Sequence, residues 1–261
     1  MTNPEHFSKR TILITGGASG IGLGLAQQLG SNGHKIIIAD MNLNAAKSTV
    51  ADLGAQGISA RAVLLDVTDT LQVAALAETL APDSVDVLIN NAGIQHVAKL
   101  EDFPADKWQQ LINIMLVAPA MLTQAFLPSM RSKNYGRIIN IGSVHSLIAS
   151  PFKSAYVAAK HGLLGFSKTI ALETGDCDVT INTLCPAYVK TPLVEKQIAA
   201  QAKEHGMSEE DVVNKIMLEP MPKKSFIDID ELASSATFLM SNSARNITAQ
   251  TIVIDGGWTA R

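Results

Sequence analysis

Ser143, Tyr156 and Lys160 stand at the spacing Ser-x12-Tyr-x3-Lys within INIGSVHSLIASPFKSAYVAAKHG (139–162). Residues four apart on a helix share one face, with Cβ atoms roughly 6 Å apart. A phenol is a poor base near neutrality because its ordinary pKa is ~10, and a fixed ammonium beside it favours the phenolate. A serine hydroxyl reaching the same point can orient a substrate oxygen. Together the three would move a proton on and off a carbinol. Taken alone, a Tyr-x3-Lys pair is more often an ordinary pair on a helix surface, so its surroundings decide the reading.

The chain start supplies the first of these surroundings. TILITGGASGIGLGLAQQL (11–29) runs from a short apolar stretch through a glycine-rich turn into a helical pattern. Gly16, Gly20 and Gly22 form T-G-x-x-x-G-x-G, which differs in spacing from G-x-G-x-x-G. Glycines there allow a tight turn and the approach of a pyrophosphate to the amides of the following helix N-terminus, where the dipole favours anions. A turn of purely structural purpose is the alternative. KIIIAD (35–40) reads as the second strand and ends in Asp40, 18 residues past Gly22. An acidic residue about 20 residues on bonds the adenosine ribose hydroxyls and repels a 2′-phosphate, so NAD is expected rather than NADP. An ordinary strand-end turn residue is the competing reading of Asp40.

Strand and helix signals alternate along the whole chain, without repeats or low-complexity tracts. Strands are expected near 11–15, 35–39, 61–65, 86–89, 136–142, 179–184 and 250–254, with helices between them. That order predicts a single α/β domain over 1–261: a Rossmann-like, doubly wound parallel sheet of about seven strands, with ligands at the strand C-terminal ends. A length of 261 residues suits one such domain with a sizeable core. Residues 190–225 are helical in pattern but long for a connection, and end in the Pro-rich PMPKKS. A lid over the substrate is expected there, with a static helical insertion as the alternative.

The composition is 47% hydrophobic and 17% charged, with a net charge of −3. It has no basic footprint for nucleic acid. No run reaches ~18 consecutive apolar residues, so no membrane span is expected. MTNPEHFSKR lacks the apolar core of a signal peptide, which favours a cytoplasmic protein. Cys177 and Cys185, the only cysteines, suggest neither a disulfide framework nor a metal site.

TGGASGIG, LDVTD (65–69), NNAG (90–93), the Ser143/Tyr156/Lys160 set, CPAYVKTPL (185–193) and DGGW (255–258) together resemble the classical short-chain dehydrogenase/reductase family. The resemblance implies that the cofactor is held by Gly16, Ser19, Gly20, Ile21, Gly22 and Asp40 in the first βαβ unit, with Asp66 and Val67 at adenine. It also implies Asn91 and Gly93 along the adenosine side, and Pro186, Val189 and Thr191 over the nicotinamide. Tyr156 and Lys160 would touch the cofactor as well, Lys160 through the nicotinamide ribose.

A narrower branch of that family, the bacterial D-3-hydroxybutyrate dehydrogenases, is similar over NNAGIQH, LEDFPADKW (100–108), INIGSVHSLIASPFKSAYVAAKHG (139–162), TPLVEKQI (191–198) and DGGWTAR (255–261). This resemblance implies that Gln95, His145, Lys153 and Gln197 hold a substrate carboxylate. A short buried anion needs such partners, because an unpaired one costs several kcal/mol. Singly, each has a plain reading: a core histidine, a solvated helix-start lysine, two surface glutamines. Trp258, with Tyr188, would pack against the substrate methyl, although a core or interface tryptophan reads almost as well. The implied reaction is reversible oxidation of D-3-hydroxybutyrate to acetoacetate with NAD. A reductase of another small keto acid or acyl substrate, and a non-catalytic NAD-sensing module, are the rivals.

One position departs from the family pattern. An Asn is usual 28 residues before the serine, and here that residue is Met115. Asn113 lies two residues away and so on roughly the opposite helix side. The family Asn is associated with a backbone carbonyl that holds a water leading to the lysine. Met115 keeps such a carbonyl, and Pro119, four residues on, has no N–H to bond it. Met115 is therefore expected to serve as a backbone relay. Ala187, where the family usually has Gly after Pro186, is expected to matter little. The family also implies a homotetramer built through helices near 107–131 and 154–174 and the last strand. Leu111, Met115, Leu122 and Phe126 are apolar on the first of these, and interface and core both suit them.

Overall fold

The computed structural model describes residues 9–260. Arg261 and most of the N-terminal segment considered above lie outside the described residues. Seven parallel strands form one sheet in the order β3-β2-β1-β4-β5-β6-β7. They are β1 (Thr11–Thr15), β2 (Lys35–Asp40), β3 (Ala60–Leu64), β4 (Val87–Asn90), β5 (Gly136–Ile141), β6 (Val179–Pro186) and β7 (Thr251–Ile254). All seven expected strands are present, with ends within about two residues, the usual scatter of boundaries. The continuous apolar runs explain why. Ile36, Ile37 and Ile38 are all fully buried, which is what a central parallel strand covered on both faces requires.

Helices α1 (Gly20–Ser31), α2 (Leu43–Ala55), α3 (Thr70–Leu80), α4 (Ala105–Ile112), α5 (Ala118–Ser132) and α6 (Ser154–Glu173) cover the sheet, followed by α7 (Pro192–His205), α8 (Glu209–Val212) and α9 (Ile229–Met240). Local chemistry starts and stops them. Asp69 accepts the N–H groups of Leu71 and Gln72 to begin α3, and Asp228 with Glu231 forms a reciprocal cap on α9. Two apolar clusters fill the two faces of the sheet, one around Ile12, Leu25 and Ile38, the other around Leu13, Leu122 and Phe126.

Leu111, Met115, Leu122 and Phe126 are all buried within the single chain, so this set is core and not an exposed interface stripe. Helical backbone continues from Ala105 to Ser132, a run long and apolar enough to cross a membrane by length and composition. In this fold its apolar side packs on the sheet and on α6.

The long segment after β6 has a small core of its own. Val194, Ile198, Val212 and Met217 pack together with Tyr188 and Phe226 at its base. Thr191 caps α7 by accepting from the Val194 N–H, Pro192 occupies its first turn, and Gly206 ends it at φ 62°. Thus α7 and α8 form a helical hairpin seated at the C-terminal end of the sheet.

Candidate active site

A cavity of about 750 Å³ opens along the C-terminal ends of β1, β4, β5 and β6. Every cofactor and substrate residue expected from the sequence borders it except Gly22. Gly22 lies directly beneath: a Cβ there would stand 2.5 Å from the Gly16 carbonyl oxygen and 2.6 Å from Asn91 Nδ2. Asn91 ties β4 to the glycine turn by donating to the Thr15 and Gly16 carbonyls at 2.9 and 3.1 Å. Gly16 and Gly20 adopt φ of 60° and 55°, which a side chain disfavours. Ser19 is extended at the start of α1 and its side chain makes no capping bond, so the first N–H groups of α1 have no side-chain cap. Asp40 brings its carboxylate to the same turn, accepting from Ala18 N–H at 3.2 Å and Asn42 N–H at 2.9 Å. Glycine cradle, uncapped helix N-terminus and carboxylate together fit the pyrophosphate and a ribose of a nicotinamide dinucleotide.

Ser143 lies two residues past the end of β5, and Tyr156 and Lys160 lie one turn apart on α6. The Ser143 oxygen accepts from the His145 N–H at 3.2 Å, so its own proton remains to donate, and its hydroxyl favours the ionised form of Tyr156. Lys160 is buried and its Nζ donates to the Ile141 carbonyl at 2.6 Å, lying 5.6 Å from the centre of the Tyr156 ring. Burial pushes Lys160 down to about 8. Burial pushes the Tyr156 phenol up, and the Ser143 hydroxyl offsets part of that rise. The Lys160 ammonium lies on the same side of α6 as the Tyr156 ring while it donates to the Ile141 carbonyl.

The proposed carboxylate ligands converge on the same chamber. His145 Nε2 is 2.7 Å from Ser150 Oγ, and its Nδ1 is 3.5 Å from Ser143 Oγ. Burial, with a further contribution from Lys153, pushes His145 down to about 4, so its imidazole is neutral near pH 7. Lys153 sits just before α6 with its Nζ 5.8 Å from the centre of the Tyr188 ring, and burial pushes it down. Among the described residues it makes no ion pair. Gln95 arrives from the loop after β4 and Gln197 from α7. Trp258 stacks on Tyr188 at 5.8 Å and meets His145 edge-on at 5.9 Å, giving the chamber an apolar wall.

Met115 lies in a π-helical stretch, Asn113–Val117, where the Ala118 N–H bonds the Asn113 carbonyl five residues back. Such wide turns arise where a regular i→i−4 ladder fails, and Pro119 removes one of its donors. Met115 Sδ stands 3.6 Å from where a Gly93 Cβ would lie. Asn113 also borders the cavity, but Gln109 Nε2 donates to its oxygen at 2.9 Å. Sequence reasoning missed the polar face formed by Asp106, Gln109, Gln110 and Asn113, all of which border the cavity. Their i, i+3, i+4, i+7 spacing was the available signal. Ser150, which engages His145, carried none.

A family model described as short chain dehydrogenase matches residues 10–202. A D-beta-hydroxybutyrate dehydrogenase of Rhizobium meliloti (strain 1021) is 44% identical over 257 residues, covering 97% of this chain and 99% of the relative. A D-beta-hydroxybutyrate dehydrogenase of Cupriavidus necator is 43% identical over 255 residues, covering 97% and 98%. A 3-oxoacyl-acyl-carrier-protein reductase of Salmonella typhimurium is 32% identical over 253 residues, covering 96% and 98%. With the parallel sheet, the glycine cradle and the Ser–Tyr–Lys set in one cavity, these matches make the chain a member of the short-chain dehydrogenase family of nicotinamide-dependent oxidoreductases.

Proposed function

We propose that this enzyme interconverts D-3-hydroxybutyrate and acetoacetate using NAD. The observation that carries the reading is Lys153: a cation without an ion-pair partner among the described residues, bordering the chamber that holds Ser143 and Tyr156. A short carboxylate supplies the missing charge, and the neutral His145 with Gln95 and Gln197 supplies hydrogen bonds to it. Holding the carboxylate at one end and the hydroxyl at Ser143 and Tyr156 selects which face of C3 is presented. Tyr156 takes the hydroxyl proton, Ser143 donates to the substrate oxygen, and Lys160 holds the ribose. When bound, NAD supplies the acceptor for the C3 hydride. Trp258 and Tyr188 enclose the methyl group and shed water. The α7–α8 hairpin over 190–225 acts as the lid, and Gln197 completes the carboxylate site when it closes.

A thioester-linked substrate offers no free carboxylate and leaves Lys153 without a counterion. Turnover of free D-3-hydroxybutyrate, with little turnover of its thioester, is the result this reading requires; preference for the thioester would replace it. A homotetramer is the proposed assembly. Because Leu111, Met115, Leu122 and Phe126 are core, its contacts fall to exposed apolar residues elsewhere: Val117 just before α5, Leu172 near the end of α6, Phe238 on α9 and Val253 on the edge strand β7.

Asp40 makes NAD the proposed cofactor. Unit charges 4 Å apart interact by ~4 kcal/mol at an effective dielectric of 20, so a 2′-phosphate against this carboxylate is strongly disfavoured. Asp40→Ala is expected to raise the NADP-to-NAD ratio of kcat/KM by about tenfold or more, a fraction of that repulsion. Equal kcat/KM with both cofactors in the unmodified enzyme would remove the assignment.

The Met115 carbonyl is proposed to hold the relay water toward Lys160, with Pro119 keeping the competing N–H away. Met115→Leu keeps the carbonyl and the volume, so most activity should survive, such swaps costing below ~1.5 kcal/mol of stability. Pro119→Ala restores an N–H four residues on and favours a regular α-helix. Its turnover is expected to drop by about fivefold or more, the rate equivalent of ~1 kcal/mol, with NAD affinity kept. Unchanged turnover in a folded Pro119→Ala enzyme would leave Pro119 as a simple cause of the wide turn.

A further inference from the structure

Directly behind Ser143 lies a second hydroxyl that no step above uses. Ser146 is 2% exposed and ends a single turn of helix, Val144–Ser146, that begins at Ser143. Two reciprocal bonds close this turn. The Ser143 oxygen accepts from the His145 N–H, and the Ser143 N–H donates to Ser146 Oγ, each at 3.2 Å. The first bond sets the side chain of Ser143 and the second sets its backbone. Room for the Ser146 hydroxyl comes from Gly142, where a Cβ would stand 3.0 Å from Ser146 Oγ and 2.7 Å from Cys185 Sγ. Cys185 is fully buried on β6 and closes the back of this pocket beside Ser146.

We infer that Ser146 is a positioning residue for Ser143: its hydroxyl, admitted by the bare Cα of Gly142, holds the Ser143 backbone so that the Ser143 proton points at the substrate oxygen. This rests on the reading of Ser143 as the ligand of that oxygen. Deleting the hydroxyl takes from a buried N–H its principal acceptor, and the turn can rotate to satisfy it elsewhere. The loss falls on the orientation of one donor, which matters most where charge develops on the substrate oxygen.

A double-mutant cycle separates positioning from a purely structural cap. Ser146→Ala is expected to lower kcat by about 5- to 30-fold, the rate equivalent of one to two kcal/mol, with the KM for substrate and cofactor little changed. In a Ser143→Ala background the same substitution is expected to lower kcat by less than about twofold, because the group it positions is gone. An equal loss in both backgrounds, or no loss in either, overturns the inference. NADH titration checks that each variant is folded, and Ser146→Cys, which keeps a weaker acceptor, replaces the alanine variant in the same cycle if the latter does not fold.

Hydrogen exchange of segment 142–147 in the NAD-loaded proteins tests the positioning without any substrate. Faster exchange in the Ser146 variant is expected, and unchanged exchange overturns the inference. Should the unmodified enzyme turn over no D-3-hydroxybutyrate, the substrate reading fails while the exchange result still decides the role of Ser146.

Discussion

Replacing Tyr156 by Phe is expected to lower turnover by roughly 10²- to 10⁴-fold or more, the range over which a positioned acid–base group acts. The ring volume stays, so contacts with His145 at 6.0 Å between ring centres and with the α6 packing are kept. The lost atom is the phenol oxygen, the group proposed to remove the carbinol proton, whose ionised form the Ser143 hydroxyl favours. NAD affinity should change little, because the glycine turn and Asp40 lie at the far end of the cavity from the chemistry. Steady-state kinetics alongside a cofactor titration would check both halves. A variant with near-normal turnover would take Tyr156 out of the proposed role and leave Lys160, held down to about 8 by burial, as the remaining candidate base.

The second large effect is at Lys153. A charge-assisted bond to a carboxylate contributes about 1.5–3 kcal/mol, so Lys153→Ala should raise the KM for 3-hydroxybutyrate by roughly 10- to 150-fold. Gln197→Ala should act in the same direction within that range. The KM for NAD should hold in both. Lys153→Ala also removes a charge that helps to keep His145 low, so the imidazole should become easier to protonate in that variant. That shift, followed by NMR titration of His145, marks the two side chains as neighbours in one site. An unchanged KM for substrate in Lys153→Ala would mean that the carboxylate binds elsewhere.

Most of the fold was legible in the residues because the informative signals are local. KIIIAD is too apolar and β-branched for anything but a buried strand, and a glycine cluster directly after TILIT fits only a turn that something approaches closely. Which residues border one cavity was legible for a related reason: most proposed ligands fall near the end of a strand or in the first turns of a helix, and those ends converge at one edge of a parallel sheet. What stayed hidden depends on atoms whose direction no spacing encodes. Lys160 shares a helix face with Tyr156 as its spacing demands, yet its ammonium turns to the Ile141 carbonyl. Pro119 announced an irregular helix, but not that the chain would answer with a π-turn over 113–117. The apolar residues Leu111, Met115, Leu122 and Phe126 could equally have faced a partner or the sheet, and only the packed chain settled them as core. No spacing marked Ser146, because the room for its hydroxyl comes from the absent Cβ of Gly142, a contact only the packed chain defines.

NADH formation by the unmodified enzyme, with D- and L-3-hydroxybutyrate supplied separately at equal concentration, tests the central claim most directly. With the carboxylate at Lys153 and the hydroxyl at Ser143 and Tyr156, only the D-enantiomer can turn its C3 hydrogen toward the nicotinamide. Rapid NADH formation with the D-form and little with the L-form is the expected result. Comparable rates with both would show that no such two-point hold exists, and absence of NADH with either would contradict the assigned substrate.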